Sequence, residues 1–170
     1  MQRMKDLYFQ VRREHLYETH SINNLNAEPP TELIPEFAPA SYFVPTDNAL
    51  GSSWTTLEFD DADWSNGQTG IGFENNPRNF IDELTTRVKP AETTADGTSI
   101  FMRIPFTVDS LATVEDLTLQ MKYDDGFVAY LNGTEVVRAN LRTDGDQSFD
   151  SRARSHSTAL GTKYETFAPS

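Results

Sequence analysis

Leu117-Thr-Leu-Gln-Met-Lys-Tyr-Asp-Asp-Gly-Phe-Val-Ala-Tyr-Leu-Asn-Gly-Thr-Glu-Val-Val137 decides the fold class of this chain. Leu117, Leu119, Met121 and Tyr123 alternate with Thr118, Gln120 and Lys122, the two-residue period of a half-buried strand. Asp124-Asp125-Gly126 interrupts the run, and Phe127 to Leu131 reads as a second, mostly apolar strand. Asn132-Gly133 is a strong hairpin signal, because both residues tolerate positive φ, and Thr134 to Val137 returns. The stretch predicts an antiparallel sheet with one wet face, and it contains no evident catalytic centre.

Working outward, Ile100, Met102, Ile104, Phe106 and Val108 alternate in a further strand over 99–108, where Pro105 points to an edge or a bulge. Lys163 to Phe167 reads as a short final strand, and the polar segment 142–158 as a loop. Residues 51–98 are rich in turns, with Trp54, Leu57, Phe59, Trp64, Ile71 and Phe73 between them and a helical turn over Phe80–Leu84. Tyr42-Phe43-Val44 is the expected first strand. Short strands joined by long turn-rich loops predict an all-β sandwich, with loops at the sheet ends where ligands bind.

The beginning of the chain has a different texture. Met4, Leu7, Tyr8 and Val11 recur at helical spacing, which predicts a helix from Met1 to about Glu18. Its apolar stripe needs a partner, either this domain or a preceding one of which residues 1–25 are the helical tail. Pro29, Pro30, Pro35 and Pro39 make 26–40 an expected linker, leaving 41–170 as the sandwich module.

The chain has 170 residues, 26 acidic against 14 Lys and Arg, and a net charge of -12. That balance repels phosphate backbones and anionic bilayers, so neither nucleic acid nor membrane insertion is expected. No run approaches the roughly 20 apolar residues that span a bilayer. Cysteine is absent, which removes disulfides, thiolate nucleophiles and cysteine-bound zinc. Met1-Gln-Arg-Met-Lys-Asp is not followed by the apolar run of a signal peptide, so an export signal is expected outside these residues.

Three segments carry a resemblance. Trp54 followed by Phe59-Asp60-Asp61-Ala62-Asp63-Trp64, the strand Ser99-Ile-Phe-Met-Arg-Ile-Pro-Phe106, and Asp124 to Gly133 ending in Leu-Asn-Gly resemble the galactose-binding-like jelly-roll superfamily. This is the fold of the sugar-binding domain of family 2 glycoside hydrolases. With Gln68-Thr-Gly-Ile-Gly-Phe73 between them, the segments look most like modules of large secreted proteins of planctomycete-type bacteria. Those proteins carry spore-coat-protein-H-like kinase and lamin-tail domains, and Arg12-Arg13-Glu14-His15-Leu16-Tyr17 resembles the tail of such a kinase.

The likeness covers roughly residues 40–167 and implies a jelly-roll β-sandwich. It also implies an extracellular, non-catalytic accessory module that binds carbohydrate or cell-surface glycan. The alternatives are a structural spacer or adhesion module contacting neighbouring domains, and a fragment of a larger kinase-like multidomain protein. In the family further strands follow the segment matching Tyr164-Glu-Thr-Phe167, whereas here Ser170 is last. The expectation is a truncated sandwich that lacks its last strands and exposes an unpaired edge; the alternative is that the N-terminal segment, or another chain, fills the gap.

Candidate chemistry follows from the same segments. Trp54 and Trp64 are each a stacking platform for a sugar ring or a core aromatic, and the resemblance favours a structural role for the second. By fold analogy, a glycan site is expected at Asn75, Arg78, Asp124 and Tyr130, with Trp64 as platform. Asp60, Asp61 and Asp63 are candidate calcium ligands, or else a solvated turn, and their spacing is not that of an EF-hand. Asp124 and Asp125 also suit a bulge held by side-chain to backbone bonds. All candidate carboxylates lie in polar turns, which disfavours a glycosidase pair. His15, His20 and His156 are too scattered to form a metal set, and no enzyme activity is expected.

Overall fold

The computed structural model describes the backbone of residues 3–12 and the full residues 30–74, 80–88, 99–111, 114, 116–145 and 148–169. Eleven strands are seen in this part: β1 (Arg3–Arg12), β2 (Thr31–Glu32), β3 (Pro39–Phe43), β4 (Ser65–Gln68), β5 (Ile71–Gly72), β6 (Thr86–Arg87), β7 (Phe101–Arg103), β8 (Asp116–Asp124), β9 (Phe127–Leu131), β10 (Thr134–Ala139) and β11 (Glu165–Phe167). Among the described residues the helical content is one α-turn, α1 (Thr158–Gly161), and two 3-10 turns, Ser53–Thr55 and Ile81–Glu83. The chain is all-β, and none of these helices is long and apolar enough to cross a membrane.

β8 organises the largest sheet, whose strand order is β11-β8-β1-β2. Its alternation does what the sequence says: Leu119, Met121 and Tyr123 are buried, while Thr118, Gln120 and Lys122 stay partly exposed. Lys122 reaches Glu36 Oε1 at 2.9 Å and Glu83 Oε2 at 3.0 Å, tying two loops to that wetter face. Phe127 crosses the break after β8 into the same core, at 0% exposure. It makes edge contacts with Tyr123 (5.0 Å) and Phe167 (5.3 Å). Ile34, Ala38, Ala129, Val136 and Val137 complete this cluster.

The other sheets are β4-β3-β7, the hairpin β10-β9, and the short parallel pair β5-β6. A second cluster of Ala40, Ile71, Val88 and Ile100 lies under them. The hairpin turn has φ +49° at Asn132 and +89° at Gly133, the left-handed pair that Asn-Gly tolerates. Gly126 has a different reason to be glycine. A Cβ there would sit 2.8 Å from the Ala139 carbonyl and 2.9 Å from the Ala153 side chain.

The helix expected over Met1–Glu18 is not what forms: Arg3–Arg12 is a strand. It pairs antiparallel with β8, from Arg3 opposite Asp124 to Arg12 opposite Asp116, and with β2 on its other side. Leu7, Phe9 and Val11 also alternate, and Tyr8, Phe9 and Val11 are good strand formers. Over so short a window both periods fit. The free backbone of β8 supplies what the local pattern leaves undecided, a ladder of hydrogen-bonding partners.

Tyr123 adds a pH dependence. Burial, then the neighbouring Glu165 carboxylate that accepts its hydroxyl at 3.1 Å, push its pKa from the usual 10.0 up to about 12. Between those values the unfolded chain has released the phenol proton and the folded chain still holds it. The unfolded state then binds fewer protons, so stability falls as pH rises from 10 towards 12. Urea titrations in that window are expected to show this loss, and Tyr123→Phe is expected to flatten it.

Candidate functional site

A cleft of about 350 Å³ opens between β7, the β9–β10 hairpin and the loop around Ser53–Thr55. Its aromatic wall comes from three elements. Trp54, from the 3-10 turn, stacks on Phe101 of β7 with ring centroids 4.4 Å apart and planes 9° off parallel. Tyr130 of β9 meets Trp54 nearly edge-on, at 5.8 Å and 77°. The three rings form a corner with two faces roughly perpendicular. Such a corner suits the apolar faces of a ring-shaped ligand with polar edges.

The polar wall is Glu135 and Arg138 of β10. Residues three apart on a regular strand face opposite sides. Here the β9–β10 register shifts between Glu135 and Val137, which is a bulge. Both Val136 and Val137 therefore reach the core, and Glu135 and Arg138 return to the outer face together. The guanidinium binds the carboxylate through both arms, Nε to Oε1 and Nη2 to Oε2, each 2.7 Å. Arg138 Nη1 donates to Gly145 O at 2.8 Å. These bonds from Arg138 hold the Glu135 carboxyl below the usual carboxylate range, and the pair raises the pKa of Arg138.

The rim is also fixed. Ser148 and Ser151 line the cleft, and Ser148 N–H donates to Ser151 Oγ at 2.7 Å. Phe149 N–H donates to Asn48 Oδ1 at 3.0 Å, joining that loop to the one carrying Trp54. Arg103 holds the Trp54 loop from below. Its Nη1 donates to the carbonyls of Trp54 (2.5 Å) and Thr56 (2.9 Å), its Nε lies 3.2 Å from Asp61 Oδ2, and its guanidinium covers the Phe59 ring at 5.4 Å.

The expected site residues fall in several places. Tyr130 lines the cleft. Trp64 is 8% exposed and packs among Phe43, Phe59 and Trp54, with centroids 5.5, 5.5 and 6.2 Å away. It supports the platform, and Trp54 is the ring that lines the cleft. Asp124 ends β8 opposite Arg3, away from the cleft lining. The following Asp125 accepts the His156 N–H at 3.1 Å on Oδ1 and the Asn140 side-chain amide at 2.7 Å on its carbonyl. Asn75 and Arg78 lie outside the described residues.

Two of the three acidic residues have partners within the protein. Asp61 accepts from Ser41 Oγ and pairs with Arg103, and Asp60 Oδ1 accepts the Ala62 N–H at 3.0 Å. Among the described residues no three His, Asp or Glu side chains gather into a group able to hold a metal ion. The Arg103 guanidinium is the cation that the structure sets against Asp61.

Glu135 and Arg138 were not legible as site residues. The available signal was the pair of adjacent valines between opposite charges, Glu135-Val-Val-Arg138, in a short returning strand. In a strand with one wet face, two consecutive core-facing residues call for a bulge, and a bulge brings their flanks to one face.

No family model matches the chain. No curated protein and no solved structure matches it either.

Proposed function

We propose that this chain is a non-catalytic carbohydrate-binding module, a jelly-roll sandwich of the galactose-binding-like kind serving an extracellular bacterial protein. The observation that carries the reading is the aromatic corner of Trp54, Phe101 and Tyr130 facing the Glu135–Arg138 pair across one cleft. Sugars present apolar C–H faces and polar hydroxyl edges, and this cleft offers rings to the first and a fixed carboxylate and serines to the second. The sequence resemblance supports the same ligand class. Binding without cleavage is the role that the sequence resemblance implies.

Tryptophan fluorescence and calorimetry against a panel of soluble oligosaccharides test the reading. A saturable response from the intact chain is expected, with a rise in Tm by mass action. Trp54→Ala is expected to weaken binding at least about 10-fold, roughly 1.4 kcal/mol, by removing one face of the corner. Tyr130→Ala should act in the same direction. Silence across the panel, with a cooperative melt that no sugar moves, would favour a spacer between neighbouring domains.

A further inference from the structure

We infer that the cleft selects uncharged sugars and turns away their uronic-acid counterparts. The inference rests on the carbohydrate-binding reading and specifies its ligand class. Arg138 is the one cationic side chain among the described residues lining the cleft. A binder of acidic sugars needs such a group available for a carboxylate, as a forked guanidinium ordinarily is. Here the fork is already closed on Glu135, with Nε and Nη2 on its two oxygens at 2.7 Å. The remaining nitrogen, Nη1, is turned to the carbonyls of Gly145 (2.8 Å) and Thr143 (3.4 Å). Arg142, next to the lining residue Leu141, directs its Nε to the Ala153 carbonyl at 2.8 Å.

The pair therefore presents itself to a ligand as a neutral unit whose more accessible half is the acceptor. The Glu135 side chain is 35% exposed and that of Arg138 is 23% exposed. A carboxylate has about four lone-pair directions and Arg138 occupies two, so the oxygens can still accept hydroxyl protons. An entering carboxylate has no proton to donate to those oxygens, and the accessible half of the pair that it approaches is itself a carboxylate. The whole-molecule charge of -12 adds a repulsive field for any anion approaching the cleft. The bulge keeps both residues on the outer face, because Val136 and Val137 between them are both held in the core.

The test uses matched oligosaccharides that differ at C6, hydroxymethyl in one series and carboxylate in the other: galactose with galacturonate, glucose with glucuronate, mannose with mannuronate. Titrations of the intact protein are followed by tryptophan fluorescence at low salt and at 0.15 M salt. At least one neutral series is expected to bind 10-fold or more tightly than its uronate partner, with the gap widening at low salt. Glu135→Gln, which releases the Arg138 fork, is expected to narrow the gap at least 3-fold. If that variant does not melt cooperatively, the salt dependence of the unmodified protein decides. Uronates that bind as tightly as neutral partners, or more tightly at low salt, would overturn the selectivity and leave carbohydrate binding standing. Failure of every series to bind would overturn the carbohydrate reading itself, and the selectivity with it.

Discussion

Phe127→Ala is expected to lower stability by about 3–5 kcal/mol, the range for removing a fully buried aromatic ring. Phe127 has no exposed surface and sits within the larger core cluster. It contacts Tyr123 on β8 and Phe167 on β11 while itself opening β9. Truncation leaves a cavity between three strands. Gly126, wedged against the Ala139 carbonyl, anchors the adjacent backbone, so the strand cannot easily move in to fill it. A domain of this size has about 5–15 kcal/mol in all. The loss should appear as a fall in Tm of about 10 °C or more in a thermal melt followed by circular dichroism. Phe127→Leu, which keeps part of the volume, should lose less. A Phe127→Ala protein with an unchanged melt would mean that this ring is not the core's keystone.

Arg103→Ala has the second large effect, roughly 2–4 kcal/mol, and a different character. The guanidinium serves three carbonyls, one carboxylate and one aromatic face, all on the loop that carries Trp54. Its side chain is 19% exposed, so these bonds are only partly open to replacement by water. Without it, Asp61 keeps its Ser41 partner and loses its counter-charge. The loop then loses its attachment to β7, and Trp54 loses its fixed position over Phe101. A red shift of tryptophan emission should accompany the fall in Tm, and under the proposed carbohydrate-binding reading sugar affinity should fall although Arg103 does not line the cleft. Arg103→Lys should recover only part of both, because an ammonium lacks the planar fork that reaches several acceptors at once. Unchanged emission in Arg103→Ala would separate the loop's order from this side chain.

The parts of this fold that were legible in the sequence share a cause. β8, β9 and the Asn132-Gly133 hairpin are each specified locally, by alternation and by residues that tolerate positive φ. A window of a few residues contains the whole instruction. β1 was not legible, because Met4, Leu7, Tyr8 and Val11 satisfy a helical period while Leu7, Phe9 and Val11 satisfy a strand period. The decision comes from β8, far away in sequence. The site divides in the same manner. Tyr130 faces the cleft by simple alternation along β9, and Trp54 was recognisable as an aromatic with two available roles. Glu135 and Arg138 depend on a register shift against a partner strand, which neighbouring residues alone do not declare. The Asp60–Asp63 run drew attention through its charge, yet the residue that employs Asp61 is Arg103 on another strand.

The position of β1 also orders events in time. It lies between β8 and β2, so its long ladder to β8 can close only after residues as late as Asp116 to Asp124 have been made. Until then, β1 must wait on the ribosome or in solution with its ladder largely unmet, and contacts this distant in sequence form slowly. The hairpin of β9 and β10, by contrast, is complete within a dozen or so residues and can form early. Folding of this chain is therefore expected to run against the direction of synthesis, with the C-terminal half making the template onto which the N-terminal strand is later laid. During that interval the open flank of β8 is the part of the molecule most exposed to pairing with a neighbour's strand, so crowding of nascent chains is its natural hazard.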